Sequence, residues 1–322
     1  MDNSDKEYAF FKTICQSRFM PITEENLRLA EQLKVKGLKI STHVDSICLD
    51  HEIDILSNDV ILSALDHTTR ALIDTLEVIY ETDSTNKSIS FAVPGQQYSI
   101  LLSEYQADGQ GRREKKWSSP LAKNIYLSIR FILKNNQFTH FIPLITALSV
   151  CQALSKIGVN DCQIKWPNDI YLSGKKIGGI LVQNRFNAEK QHDIVVGIGL
   201  NVNMQVNTEI DKQWTSLLNC QNKTFDRNKI VSALLTETLD TYNQLSVFDF
   251  CQFYQDWLAK DFLKGQQIQV IQETGHYNAI ALGLADDGAL IVECVEDDCK
   301  IKKKIYSAEV SVMPIATLNS DK

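Results

Sequence analysis

The chain has 322 residues, of which 44% are hydrophobic and 23% charged, with a formal net charge of −7. That length suits about two domains, or three if some are small, and the acidic balance disfavours generic nucleic-acid affinity. Its eight cysteines form no C-x-x-C pair and its six histidines have no metal-ligand spacing, which speaks against structural zinc and fits a reducing cytoplasm. The polar start, Met1-Asp2-Asn3-Ser4-Asp5, predicts no signal peptide, and the most apolar stretch, 141–150, is too short to span a bilayer.

Residues 7–17 read as a short helix, interrupted before Pro21. Thr23 is placed to cap a second helix, with Glu24 and Glu25 in its first turn and Gly37 as its stop. Residues 38–40 and 46–49 are expected to pair as a hairpin, and Ser57 to cap a short helix ending at Leu65. Residues 1–66 hold seven Lys and Arg against twelve Asp and Glu, a balance of −5. Phosphate neutralisation supplies most non-specific DNA affinity, so DNA is an unlikely partner for this segment.

Residues 67–79 read as a helix or an extended linker. Asp83-Ser84-Thr85-Asn86 then reads as an N-cap cluster opening a helix at Lys87, whose short hydroxyl and amide groups also suit a polar heterocycle. Apolar runs at 98–102 and 124–131 predict strands on either side of a loop, 104–117, that holds Gly109, Gly111, Arg112, Arg113, Lys115, Lys116 and Trp117. Glycines let backbone bend and approach a ligand, arginines fork onto phosphate or carboxylate, and an indole stacks. The loop therefore reads as a clamp for an anionic, partly aromatic ligand, or else as a solvated surface loop.

A helix over 141–157 stops at Gly158. A strand over 163–166 follows, and Pro167 forces Trp166 to be extended. Residues 170–172 and 176–182 predict a hairpin turning at Ser173-Gly174, and 194–203 another strand, whose Gly197 and Gly199 permit close approach. Asp226 is expected to cap a helix to Leu245, and 250–259 is a second. From Gly265 the texture is all β, with strands at 267–271, 277–284, 289–295 and 301–313, and turns at 273–275, 286–288 and 296–298.

Four stretches in order carry a resemblance: Asp83-Ser84-Thr85-Asn86, the G-x-G-R-R…W loop, Lys165-Trp166-Pro167-Asn168-Asp169, and Gly197-Ile198-Gly199-Leu200-Asn201. Together they resemble the biotin protein ligases over about 77–322. The resemblance implies an α+β fold, a mixed sheet with flanking helices. It implies a degenerate winged-helix-like domain at 1–66, a catalytic domain at 67–264 and an SH3-like β-barrel at 265–322. One helix of the usual three-helix winged unit is missing from the predicted elements.

The resemblance further implies ATP, biotin and Mg²⁺ as ligands, and a carboxylase's biotin carboxyl carrier domain as acceptor; a homodimer paired through sheet edges stays open. Arg112 and Lys165 would be catalytic. Ser84, Thr85, Asn86 and Gln106 would bind the ureido ring, and the backbone of Gly109, Gln110, Gly111 and Arg112 the biotin tail. Arg113, Trp117 and Asn201 would hold the adenylate, Trp117 having core packing as its alternative role. Asn168 and Asp169 suit either Mg²⁺ or a structural turn. Gln110, Glu114 and Met313 depart from the family pattern. Lipoate or octanoyl transfer, a ligase that also represses transcription, and generic nucleotide binding are the rival functions.

Overall fold

The computed structural model describes residues 3–90, 97–133, 138–187, 191–205, 213–247, 249–272, 275–296, 299–306 and 311–314. The turn residues expected at 273–274 and 297–298, residues 307–310 of the last expected strand and the Met313 side chain lie outside that part. Among the described residues, the N-terminal stretch opens with α1 (Asn3–Ser17), β1 (Phe19–Pro21) and α2 (Glu24–Val35). Thr23 caps α2 by accepting from Asn26 N, and Gly37 ends it at φ +99°. β2 (Ile40–Thr42) and β3 (Ser46–Leu49) form the expected hairpin, the first strand two residues late. Residues 19–21, between the two helices, pair with the free edge of β3. Phe11, Ile14, Leu33 and Ile47 fill a core that also takes in Tyr80, Leu121 and Ala122 from further along the chain.

α3 (Asn58–Ala64) is capped by Ser57, as expected, and α4 (His67–Ala71) follows. The stretch expected as a helix or linker then becomes β4 (Ile73–Thr82), whose Leu76, Val78 and Tyr80 alternate with strand period. After α5 (Thr85–Ile89) come β5 (Tyr98–Gln106), β6 (Ile125–Leu133), α6 (Ile142–Lys156), β7 (Gln163–Lys165), β8 (Asp169–Leu172), β9 (Lys175–Phe186) and β10 (His192–Leu200). The strands form one mixed sheet of seven in the order β4-β5-β6-β10-β9-β8-β7, with β4 and β5 parallel. α7 (Leu217–Gln221), α8 (Arg227–Asn243) and α9 (Phe250–Leu258) complete the helices, and Asp226 caps α8 as expected. No helix among the described residues is long and apolar enough to cross a membrane.

Successive side chains on a strand face opposite ways. Ile100, Leu102, Leu127, Ile129, Val196 and Ile198 share one core with Leu148 of α6 and Leu235 of α8. The other face carries Ser103, Tyr126, Ser128, Gly197 and Gly199, and α5 lies over it, with Ile89 against Leu101 and Val195. β11 (Gln267–Gln272), β12 (Gly275–Leu284), β13 (Leu290–Glu296), β14 (Cys299–Ile305) and β15 (Ser311–Pro314) make an antiparallel sheet ordered β14-β13-β12-β11-β15. The single strand expected at 301–313 is thus two, on opposite edges of that sheet.

Where the N-terminal stretch meets the seven-stranded sheet, Arg227 and Glu104 form an ion pair at 2.6 Å, each 1% exposed. Glu104 also accepts from Leu56 N at 2.6 Å, and Arg227 donates to Asp54 O at 2.7 Å. Removing one partner of such a pair strands the other charge. Arg227→Met should therefore cost roughly 3–5 kcal/mol of unfolding free energy by urea titration, while Lys229→Met, exposed on the same helix, should stay within about 0.5 kcal/mol.

Lys123 lies nearby and is 8% exposed. Burial, then Lys39 and Arg227, pull its pKa down to about 8 from the ordinary 10.5. Below pH 8 the ammonium is therefore a cost to the fold. Between about 8 and 10.5 the unfolded chain binds the extra proton, and that cost is relieved as pH rises. Lys123→Met should be more stable than wild type at neutral pH, and urea midpoints should show the gap closing as pH rises through that window.

Candidate active site

The site stands on the sheet face away from the large helices. Two rows of facing residues cross β6, β10 and β9: Ser128–Gly197–Leu181 and Tyr126–Gly199–Gly179. A Cβ added at Gly197 would lie 2.4 Å from Asn86 Oδ1, and one at Gly199 would lie 2.6 Å from the Trp117 indole. The missing side chains are what let Asn86 and Trp117 rest on the sheet. Between them lies a cavity of about 40 Å³, bounded also by Ser84, Thr85, Gln106, Gln110 and Leu181.

A buried hydrogen-bond chain sets these polar groups. Gln106 Oε1 accepts from Thr85 N at 2.9 Å and from Thr85 Oγ1 at 3.1 Å, and its Nε2 donates to Ser119 Oγ at 2.8 Å. Ser119 Oγ donates to Trp117 O at 3.1 Å. Ser128 Oγ lies 2.8 Å from Thr85 Oγ1 and 2.6 Å from Asn86 Oδ1, while Asn86 Nδ2 donates to Leu181 O at 3.3 Å. The helix opens at Thr85 rather than Lys87, and the Ser84 hydroxyl makes no capping bond. Capping therefore does not account for this cluster; its side chains turn toward the cavity and one another.

The loop after β5 is a small hairpin. Trp117 N donates to Gly109 O at 2.7 Å, Gly111 N donates to Lys115 O at 2.6 Å, and Gln110 bridges Lys116. Its glycines do not make the bend that the sequence suggested. Gly111 has φ −107°, and the left-handed tip falls on Arg113 at φ 54° and Glu114 at φ 58°. Gly109 serves close approach instead, since a Cβ there would stand 2.5 Å from Trp117 O. The Trp117 indole N–H is buried without a hydrogen-bond partner, and Lys176 Nζ sits 5.5 Å from the ring centroid.

Arg112 leaves this loop toward the Lys165–Asp169 turn, where its Nη1 donates to Asn168 Oδ1 at 3.1 Å. Burial lowers the guanidinium's pKa, and Asp169 opposes that. Lys165 is across the β7–β8 pairing from Asp169, with its Nζ 3.4 Å from the Tyr171 hydroxyl. Asn168 Nδ2 donates to Ile180 O at 2.6 Å, and Asp169 is paired with Lys176 at 2.5 Å. Both side chains are thus engaged in holding the turn, and Trp166 Nε1 fixes it to Gly288 O at 3.1 Å.

Of the residues expected from sequence, Ser84, Thr85, Asn86, Gln106, Gln110 and Trp117 converge on the cavity. Arg112 and Lys165 flank one turn beside it rather than lining it. Asn201 is not brought in: its Nδ2 donates to Thr215 O at 3.1 Å and its Oδ1 faces Asn124. Sequence reasoning missed Ser119, Ser128 and Lys176. Ser128 had a signal, as a polar residue at a site-facing position of an otherwise apolar strand.

A model described as the Biotin/lipoate A/B protein ligase family matches residues 76–201, and one described as the Biotin protein ligase C terminal domain matches 264–313. The biotin–[acetyl-CoA-carboxylase] ligase of Mycobacterium tuberculosis is 30% identical over 227 residues, 68% of this chain and 83% of that protein. The bifunctional ligase/repressor BirA of Salmonella typhimurium is 27% identical over 286 residues, 83% of this chain and 87% of that protein. Among solved structures, the biotin protein ligase from Aquifex aeolicus in complex with biotin and ATP aligns with a TM-score of 0.64 at 27% identity. It covers 75% of this chain and 99% of its own.

Because Gly199 has no room for a methyl group, Gly199→Ala should lift Trp117 off the sheet. The expected readout is greater acrylamide quenching of tryptophan fluorescence, at an overpacking cost of roughly 1–3 kcal/mol. Quenching unchanged from wild type would mean that Trp117 does not rest on Gly199.

Proposed function

The chain belongs to the Biotin/lipoate A/B protein ligase family, and from that premise we propose that it is the biotin–protein ligase of its cell. Biotin's carboxylate oxygen attacks the α-phosphorus of ATP, pyrophosphate leaves, and biotinyl-5'-adenylate forms. The ε-amine of an acceptor lysine then attacks the acyl carbon of that mixed anhydride. AMP leaves and an amide is made.

The observation that carries this reading is the polar cluster over a glycine floor. Ser84, Thr85, Asn86 and Gln106 present both donors and acceptors in a buried pocket, which suits a ureido ring. A lipoyl or octanoyl chain would call for apolar walls there. Because the cavity is small, biotin enters as the loop and Trp117 shift away from the floor. The backbone of Gly109, Gln110 and Gly111 then lies along its tail, and Arg113 and the Trp117 ring meet the adenylate. Asn201 acts on the nucleotide indirectly, by fixing the backbone at Thr215.

Bringing a carboxylate to a triphosphate needs positioned positive charge. Arg112 and Lys165, at one turn, supply it from a loop and from a strand end. Mg²⁺ arrives with ATP as its counter-ion, since Asn168 and Asp169 are engaged in the turn. The acceptor is the biotin carboxyl carrier domain of acetyl-CoA carboxylase, and the setting is the cytoplasm. If two copies associate, β4, an outer strand of the sheet, is the edge through which they pair. The acidic N-terminal segment, with α1 and α2 ahead of its hairpin, supports ligation without repression.

Incubation with biotin, MgATP and an acceptor domain, followed by intact mass, should show one added biotin; lipoate should give no such addition. Lys165→Met should lower adenylation by roughly 10²–10³-fold, the usual cost of losing one such donor. Arg112→Gly should stay folded yet lose adenylate rapidly on desalting, and retention equal to wild type would remove Arg112 from this role.

A further inference from the structure

A larger cleft, about 620 Å³, lies between the N-terminal stretch and the seven-stranded sheet. It shares Gln106 and Trp117 with the floor cavity and is otherwise lined by different residues. Its volume is in the range of small-molecule sites. Lys39, Lys116 and Lys123 line it, together with His51 and the apolar surfaces of Phe225 and Met204.

We propose that this cleft is a second binding site, for a small molecule carrying a phosphate group held by Lys123, Lys39 and Lys116. Lys123 is buried, yet among the described residues no carboxylate lies within ion-pair distance of its ammonium. Its hydrogen-bond partner is the His51 imidazole. Burial, then Lys123 and Lys39, depress the His51 pKa, so the neutral ring accepts from the ammonium. An ammonium has three donors, which leaves two for a ligand.

The other cations at the junction are differently placed. Arg227 is matched by Glu104, and Lys36 by Glu7 and Glu81. Glu52, also in the lining, is paired with Arg18. Among the described residues, the Lys39 ammonium donates to the neutral Gln205 Oε1 at 3.1 Å. Asp54, also in the lining, offsets one of the remaining charges, and among the described residues Lys39, Lys116 and Lys123 leave the balance positive. Lysines are point charges that suit a tetrahedral dianion, whereas a planar carboxylate is better matched by an arginine fork. A bound dianion would relieve the burial cost of Lys123, and Phe225 with Met204 offers apolar surface for the rest of the molecule.

The test is a titration of the full chain with inorganic phosphate and, separately, ribose 5-phosphate, followed by the imidazole NMR signals of its six histidines. The His51 signal, assigned with His51→Gln, should shift to saturation in the millimolar range with both probes. Lys123→Met should weaken binding roughly tenfold or more, since a hydrogen bond to a charged group is worth about 1.5–3 kcal/mol. Lys39→Ala, on the exposed rim, should weaken it less, and Arg112→Gly should leave it unchanged. The proposal is overturned if His51 does not respond, if Lys123→Met binds as wild type does, or if affinity is lost in Arg112→Gly. Lys39→Ala with unchanged affinity likewise overturns it.

Discussion

Everything in the candidate site depends on the side-chain alternation of three neighbouring strands. A strand that buries Val196, Ile198 and Leu200 on one face must present positions 195, 197 and 199 on the other. At two of those three positions the chain has glycine. Any larger residue would fill the space that Asn86 and Trp117 occupy. The helical core and the ligand floor are therefore two faces of one pattern. A one-residue slip of β10 against β6 would exchange them, burying nothing on one side and blocking the site on the other.

The second dependence is the Arg227–Glu104 pair. Its net worth to stability is modest, because both charges lose water. Its effect is geometrical: the same two side chains bind the backbone of residues 54 and 56, β5 and the start of α8. That places the N-terminal stretch against the far end of the ligand loop. Leu121 N donates to Lys36 O at 2.7 Å, and Gly37 packs on Pro120. The loop thus leaves a buried strand and returns to a braced stem.

Much of this was legible in local chemistry. Thr23, Ser57 and Asp226 announced helices that formed where expected, because a cap is a contact between near neighbours. Three of the four motifs marked elements that meet at the floor, and the other, Lys165–Asp169, marked the turn that receives Arg112. β4 was missed because its alternation is partial and its partner, β5, lies beyond a helix. The pairing of Arg112 with Asn168 joins residues 56 apart in sequence, and nothing local reports it. The cleft is the extreme case: Lys39, His51 and the 116–123 connection are distant in sequence, and nothing local reports that they line one space. Asn201, which the motif singled out, has its amide engaged by the backbone of Thr215, a contact its neighbours in sequence do not report.

The loop tip shows how ligand and backbone can be coupled. Arg113 and Glu114 both hold left-handed conformations, which cost a non-glycine residue roughly 1–2 kcal/mol each. Such strain persists only where surroundings enforce it. Here the Gly111–Lys115 and Gly109–Trp117 bonds and the Arg112–Asn168 bond hold the loop in that shape, and the Trp117 N–H finds no partner among the described residues. A ligand that gave the indole a partner would remove the cost of its buried N–H as it bound. Glu114, a carboxylate at that tip, opposes an anion drawn to Arg112 and Arg113. Position 114 therefore bears on an anionic ligand through backbone conformation and through charge together, the one storing strain in the loop and the other repelling the ligand.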